Sequence, residues 1–181
     1  MKLSFALAGA LLLASCKKND VDADNLVPAT QSGKNTGDFL LNGQPYRPGR
    51  GSAYPGPAVG AYWSKIRGGR KITIIMGRQF DRDDTGLNIV LPRITGPGTF
   101  TITEGVSPVI IAGNQPYILY SVDHPSPARH FLTGPTAVGR VELTRYDTVA
   151  HVVSGTFEAT LREYQGPDSA VLTKGRFDCK F

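Results

Sequence analysis

The stretch at residues 154–162 reads SGTFEATLR, and it alternates small or apolar side chains with polar ones. Successive side chains of a β-strand point to opposite faces of the sheet, so this period of two predicts a half-buried strand. Its inner face would hold Gly155, Phe157, Ala159 and Leu161. Its outer face would hold Ser154, Thr156, Glu158, Thr160 and Arg162.

The segments on either side repeat this alternation. Residues 139–144 place Val141 and Leu143 on the inner face, between charged residues that point outward. A last strand would have an inner face of Val171, Thr173, Gly175, Phe177, Cys179 and Phe181. Its outer face would hold Lys174, Arg176, Asp178 and Lys180. The C-terminal third therefore predicts three strands of a sheet that has one covered face.

Further strand-like runs precede this region. Short runs of this kind lie at residues 61–66, 98–103 and 117–122. Apolar side chains also alternate before Pro92, at Leu87, Ile89 and Leu91. Residues 71–76 (KITIIM) are rich in β-branched side chains, which is typical of a strand covered on both sides. Residues 38–181 have no apolar stripe with a period of 3.6. We therefore predict an all-β domain, a single antiparallel meander of about nine strands closed as a sandwich or flattened barrel.

The composition agrees with this fold class. The chain has 181 residues, of which 21 are Gly and 13 are Pro, as expected of many strands joined by tight turns. The net charge of +5 permits anionic partners without requiring them, and we expect no nucleic-acid partner. The two cysteines are Cys16 and Cys179, so acylation of the first would leave no intramolecular disulfide.

The N-terminus has the features of a secretory signal. Lys2 precedes an apolar or small-residue run at residues 3–13, which is too short to span a membrane. The sequence Leu13-Ala14-Ser15-Cys16 then resembles the bacterial lipobox. That resemblance implies a signal peptide at residues 1–15 and a mature N-terminal Cys16 with three acyl chains, palmitate among them. The alternative is an ordinary signal peptide that contains a cysteine.

Residues 16–37 follow as a predicted lipidated, flexible tether, because they contain few large apolar residues and no periodicity. Asp20, Asp22 and Asp24 resemble the sorting region of surface-exported lipoproteins, although a plain soluble linker has the same composition. We expect the protein to be anchored to the outer membrane of a bacterial envelope, in either the periplasmic or the cell-surface leaflet.

Few residues suggest catalysis. Asp123, His124 and Ser126 supply the residue types of a hydrolase triad, but no Gly-x-Ser-x-Gly turn accompanies them. Residues 81–86 (DRDDTG) match the first half of a calcium loop, yet the twelfth position is Pro92, and an ordinary hairpin loop has the same composition. The three histidines lack the companions of a zinc site. We therefore predict a protein without enzymatic activity, cofactor or metal.

Residues 47–93 are the most basic part of the chain, with nine Lys or Arg side chains against three acids. Arginine forks bind phosphate or carboxylate, and exposed aromatic rings stack on sugars. The Gly/Pro-rich loop at residues 49–60 lies among them, and loops carry recognition. The candidate ligand-binding residues are Arg47, Arg50, Tyr54, Trp63 and Arg67.

Several strand-and-turn motifs resemble the small β-rich outer-membrane lipoproteins of unknown function found in Bacteroidota. They are Asn42-Gly43, Gly98-Thr99-Phe100, residues 153–157 (VSGTF) and residues 173–178 (TKGRFD). The resemblance implies the fold and the compartment and gives no catalytic residues. We expect a binding or scaffolding module for a glycan, such as lipopolysaccharide, or another anionic envelope component. The alternatives are a lipocalin-like carrier of an apolar ligand and a hydrolase with a site built from loops.

Overall fold

The structure is a computed structural model, and it describes residues 25–53, 55–104 and 114–181. These residues contain no helix that is long and apolar enough to cross a membrane. They form β1 (Thr36–Leu41), β2 (Gln44–Tyr46), β3 (Gly49–Arg50), β4 (Val59–Ile66), β5 (Gly69–Phe80), β6 (Asp83–Pro92), β7 (Gly98–Ile102), β8 (Tyr117–His124), β9 (Arg129–Leu132), β10 (Gly139–Asp147), β11 (Val152–Glu163) and β12 (Ser169–Lys180). The prediction of an all-β fold is therefore confirmed.

The strands belong to one curled sheet in the order β2-β1-β12-β11-β9-β8-β6-β5-β3. Beside this path, β10 pairs with β11 and with β7, and β4 pairs with β5. The described residues give twelve strands instead of about nine, because β2, β3 and β9 are too short to show a sequence period. The expected meander is also incomplete, since β1 pairs with β12 and β3 runs parallel to β5.

The core lies where the two halves of the curled sheet face each other. The strip β2-β1-β12-β11 supplies Phe39, Leu161 and Leu172, and the strip β8-β6-β5 supplies Ile74 and Leu87. All five of these side chains are no more than 1% exposed. Burial of each such side chain is worth about 1.5–3 kcal/mol, so the facing apolar surfaces supply the main force that keeps the sheet curled.

The predicted inner face of the last strand is wrong in its first half. Val171 is 40% exposed, whereas Leu172 is fully buried. The register between β11 and β12 shifts between Phe157 and Ala159, and Lys174 has a φ of 52°. A β-bulge adds one residue and reverses the alternation beyond it. The predicted inner face is correct only after the bulge, where Phe177 and Cys179 are buried.

Two residues predicted to face outward, Ser154 and Asp178, are also buried, with exposures of 0% and 2%. The Ser154 hydroxyl donates to Asp178 Oδ1 at 2.8 Å. Asp178 Oδ1 also accepts from the backbone N–H of Gly33, at 2.7 Å. A buried carboxylate needs such donors, and an earlier segment of the chain supplies them.

That segment, residues 25–34, is named the N-terminal strap below. It falls within the predicted tether, but it lies against the domain. The Val27 N–H donates to Asp38 Oδ2 at 2.7 Å, and Arg176 Nη1 donates to the Val27 carbonyl at 3.0 Å. The tether prediction is therefore wrong from residue 25 onward, because Asp38, Arg176 and Asp178 satisfy backbone groups that a free linker would leave to water. Residues 16–24 of the predicted tether, Cys16 and the predicted signal peptide lie outside the described residues.

Candidate functional site

The predicted ligand-binding residues do not form one surface. Arg47 is exposed and donates to the carbonyl of Asn25 at 3.3 Å. Arg50 lies in β3, Trp63 lies in β4, and Arg67 is exposed in the turn between β4 and β5. Tyr54 lies outside the described residues.

The register of β5 shows how far apart these positions are. Arg50 pairs with Gln79, whereas Trp63 pairs with Ile72 at the other end of the strand. Seven residues of an extended strand span ~24 Å. Trp63 has instead the guanidinium of Arg70 at 4.6 Å from its ring centroid. Arg50 and Trp63 therefore belong to separate surfaces.

Arg50 contributes to a shallow polar cavity on the outer face of β5, β6 and β8, which we name the outer polar depression. Its volume is about 240 Å³. The cross-strand row Gly77–Gly86–Ser121 crosses it, because Gly77 pairs with Gly86 and Gly86 pairs with Ser121. Side chains that face the opposite way from the core strip line it, and the polar ones are Arg50, Gln79, Asp84, Asn88, Ser121 and Asp123.

The two strand glycines form the floor of this depression. Neither Gly77 nor Gly86 has a positive φ, so no backbone conformation requires glycine there. A Cβ at Gly86 would lie 3.5 Å from Ser121 Oγ, and one at Gly77 would lie 3.6 Å from Arg50 Nη2. Both distances are ordinary contacts. Glycine weakens a strand interior, and it often marks a place where a ligand approaches the backbone closely.

Arg50 is held at the rim of the depression by one hydrogen bond. Its Nη1 donates to the carbonyl of Pro55 at 2.6 Å, which fixes the guanidinium against the loop after β3. Its Nε is buried and has no hydrogen-bond partner among the described residues. An unsatisfied buried donor costs about 1–3 kcal/mol. A bound acceptor would remove that cost if it reached Nε after a small movement of the side chain.

The opposite rim contains Ser121 and Asp123, and His130 lies beside them on the neighbouring strand β9. Ser121 Oγ donates to Asp123 Oδ2 at 3.2 Å, and His130 Nε2 lies 3.9 Å from Asp123 Oδ1. The carboxylate thus lies between the hydroxyl and the imidazole. In a hydrolase triad the imidazole contacts the hydroxyl and removes its proton. Here Asp123 accepts from Ser121, and among the described residues no hydrogen bond joins the Ser121 hydroxyl to the His130 imidazole.

The other residues considered for chemistry lie elsewhere. His124 and Ser126 are exposed at the end of β8 and in the loop after it. Within residues 81–86, which match the first half of a calcium loop, Asp83 pairs with Arg78 at 2.6 Å, across the β5–β6 hairpin. The described part of the chain contains no cluster of three or more His, Cys, Asp or Glu side chains that could hold a metal.

A lipocalin-like carrier needs an apolar cavity inside the sheet. The space between the two faces is instead occupied by side chains such as Ile72, Ile89 and Ile118, which are fully buried. A further cavity of about 640 Å³ lies beside Arg93, Phe100 and Glu104, and polar and charged side chains are among its lining residues. The geometry therefore favours a ligand site on the outer face of the sheet.

Sequence reasoning found Arg50 but missed Gln79, Asn88, Ser121 and the glycine floor. The available signal was the presence of Gly77 and Gly86 inside two strand patterns, since such glycines often mark close approach of a ligand or a backbone. Which polar residues share the depression depends on the strand register, which the sequence pattern does not reveal. No protein-family model matches the chain, and comparisons with curated proteins and with solved structures give no significant match.

Proposed function

We propose that this protein is a lipid-anchored, non-catalytic binding module of the bacterial envelope that binds a glycan through the outer polar depression. The observation that carries the proposal is the buried, unpartnered Nε of Arg50 at the rim of a cavity with a glycine floor. Amide, hydroxyl and carboxylate groups line the cavity, and these groups form hydrogen bonds with hydroxyl-rich ligands. The order of Ser121, Asp123 and His130 supports binding rather than hydrolysis.

The proposed anchor is Cys16, and the N-terminal strap sets its distance from the domain. Only nine chain steps separate Cys16 from Asn25, where the strap begins. Fully extended, they span at most ~32 Å. The domain would therefore stay close to the bilayer, in the layer where envelope glycans are concentrated. Many acylated copies in one membrane would also compensate for a weak single site through multivalency.

The test is a glycan and lipopolysaccharide array probed with the mature chain at low and at physiological salt. We expect the parent to bind at least one class of glycan and the Arg50→Ala variant to lose most of that signal. Arg140→Ala is the matched control, since Arg140 is an exposed arginine on β10, outside the depression. No binding by the parent at either salt concentration would refute the proposal. Equal loss in both variants would point to a general effect of positive charge and would also refute it.

A further inference from the structure

We infer that the outer polar depression binds a single uncharged sugar residue of a glycan, rather than a phosphate or an acidic sugar. This inference rests on the proposed function and specifies its ligand. The residues of the depression contribute one positive charge and two negative charges, from Arg50, Asp84 and Asp123. A bound anion would therefore face more repulsion than attraction at this site.

The hydrogen-bonding groups support the same choice. Asp123 already accepts from Ser121 through Oδ2, and its Oδ1, which lies 3.9 Å from His130 Nε2, can accept from a further donor. An ionised carboxylate is only an acceptor, so it needs a ligand group that donates, such as a hydroxyl. Arg50 can only donate, whereas Asn88 can both donate and accept. A sugar hydroxyl suits all three because it is donor and acceptor at once.

The dimensions limit the ligand to one ring. The volume of about 240 Å³ is below the ~300–1,000 Å³ of pockets that enclose drug-sized ligands. Gly77 and Gly86 allow a ring to lie directly on the sheet, and the partly exposed Ile75 beside them offers an apolar surface for C–H groups. The rest of the glycan would extend into solvent. Because one ring forms few contacts, we expect a Kd on the order of 1 mM for a single site.

The test is an NMR titration of the mature chain that measures Kd for two classes of probe. One class is a panel of uncharged gluco-oligosaccharides, and the other is an oligouronate of the same length. We expect a member of the uncharged panel to bind at least tenfold more tightly than the oligouronate. Gly86→Ala should weaken that binding at least tenfold, because a methyl group would fill the floor without a backbone clash. Gly96→Ala is the matched control, since a Cβ there would meet nothing within 4 Å.

The Asp123→Asn variant distinguishes the two ligand classes, because it lowers the affinity for an uncharged sugar but raises the affinity for an anion. It should weaken the uncharged probe severalfold, because one charged acceptor is lost. Tighter binding of the oligouronate than of every uncharged probe, together with a gain in Asp123→Asn, would overturn this inference and leave the proposed function intact. Failure of both probe classes to bind the parent would overturn this inference and the proposed function together.

Discussion

At the scale of single residues, Asp178 connects the two ends of the described chain. Burial alone would raise the pKa of Asp178, but hydrogen bonds from Thr30, Gly33, Ser154 and Ser32 outweigh it and hold that pKa well below its ordinary value. The Thr30 hydroxyl donates to Oδ2 at 2.6 Å, and the Ser32 N–H donates to the same atom at 3.0 Å. The N-terminal strap is therefore stabilised by one negative charge on the last strand.

This arrangement predicts how stability changes with pH. A carboxyl group with a lowered pKa in the folded state contributes fully above its unfolded value of about 4, and the contribution is lost as the pH falls towards the folded value. Asp178→Asn should therefore lower the free energy of unfolding at neutral pH by about 2 kcal/mol, because its amide would place an N–H group against existing donors. Calorimetry from about pH 7 to pH 2 should show that the free energy of unfolding falls less with acidification in the variant than in the parent. Parallel curves would show that Asp178 is not the group responsible.

The strands illustrate which features of the fold could be predicted. The alternation in β10 and in most of β11 correctly predicts which side chains face the core, because each of these segments has one covered face and few irregularities. Val141 and Leu143, for example, are buried as predicted. The bulge at Lys174 was not predictable, because an inserted residue changes the phase without leaving a clear composition signal. Asp178 is buried through partners more than 100 residues away in the strap, and Ser154 is buried as a donor to Asp178, which local periodicity cannot show. The same limit explains why only Arg50 of the depression was found.

Close approach of β10 and β11 gives a prediction for one glycine. A Cβ at Gly155 would lie 2.2 Å from the carbonyl oxygen of Glu142 on the paired strand, so the backbone itself would have to move. Gly155→Ala should therefore cost at least about 2 kcal/mol, at the upper end of overpacking effects. Gly96→Ala should change stability by less than ~0.5 kcal/mol, as most surface substitutions do. Urea unfolding of both variants measures the difference, and similar midpoints would refute the argument from the backbone contact.

At the scale of the whole molecule, the path of the chain suggests how the outer face is presented. The strap contacts Arg47, Asp38, Arg176 and Asp178, so it lies along β1 and the β12 side of the sheet. The depression lies on β5, β6 and β8, in the other half of the curled sheet. Asn25 at the start of the strap nevertheless accepts a hydrogen bond from Arg47, only three residues before Arg50 of the depression, so an anchor before the strap would hold this rim of the depression near the point of attachment.

The last prediction concerns that anchor. If Cys16 carries three acyl chains, it exceeds the two hydrophobic signals that stable membrane attachment requires. Cys16→Ala should then convert a carbonate-resistant membrane protein into a soluble or unprocessed one. Cys179→Ala is the matched control, because Cys179 is fully buried and burial raises the pKa of its thiol to about 12, so it is not a site for acylation in the folded domain. Fractionation with an antibody to the domain would distinguish the outcomes. A processed Cys16→Ala protein that stays with the membrane after carbonate washing would rule out Cys16 as the anchor, and the proposed closeness of the domain to the bilayer would lose its basis.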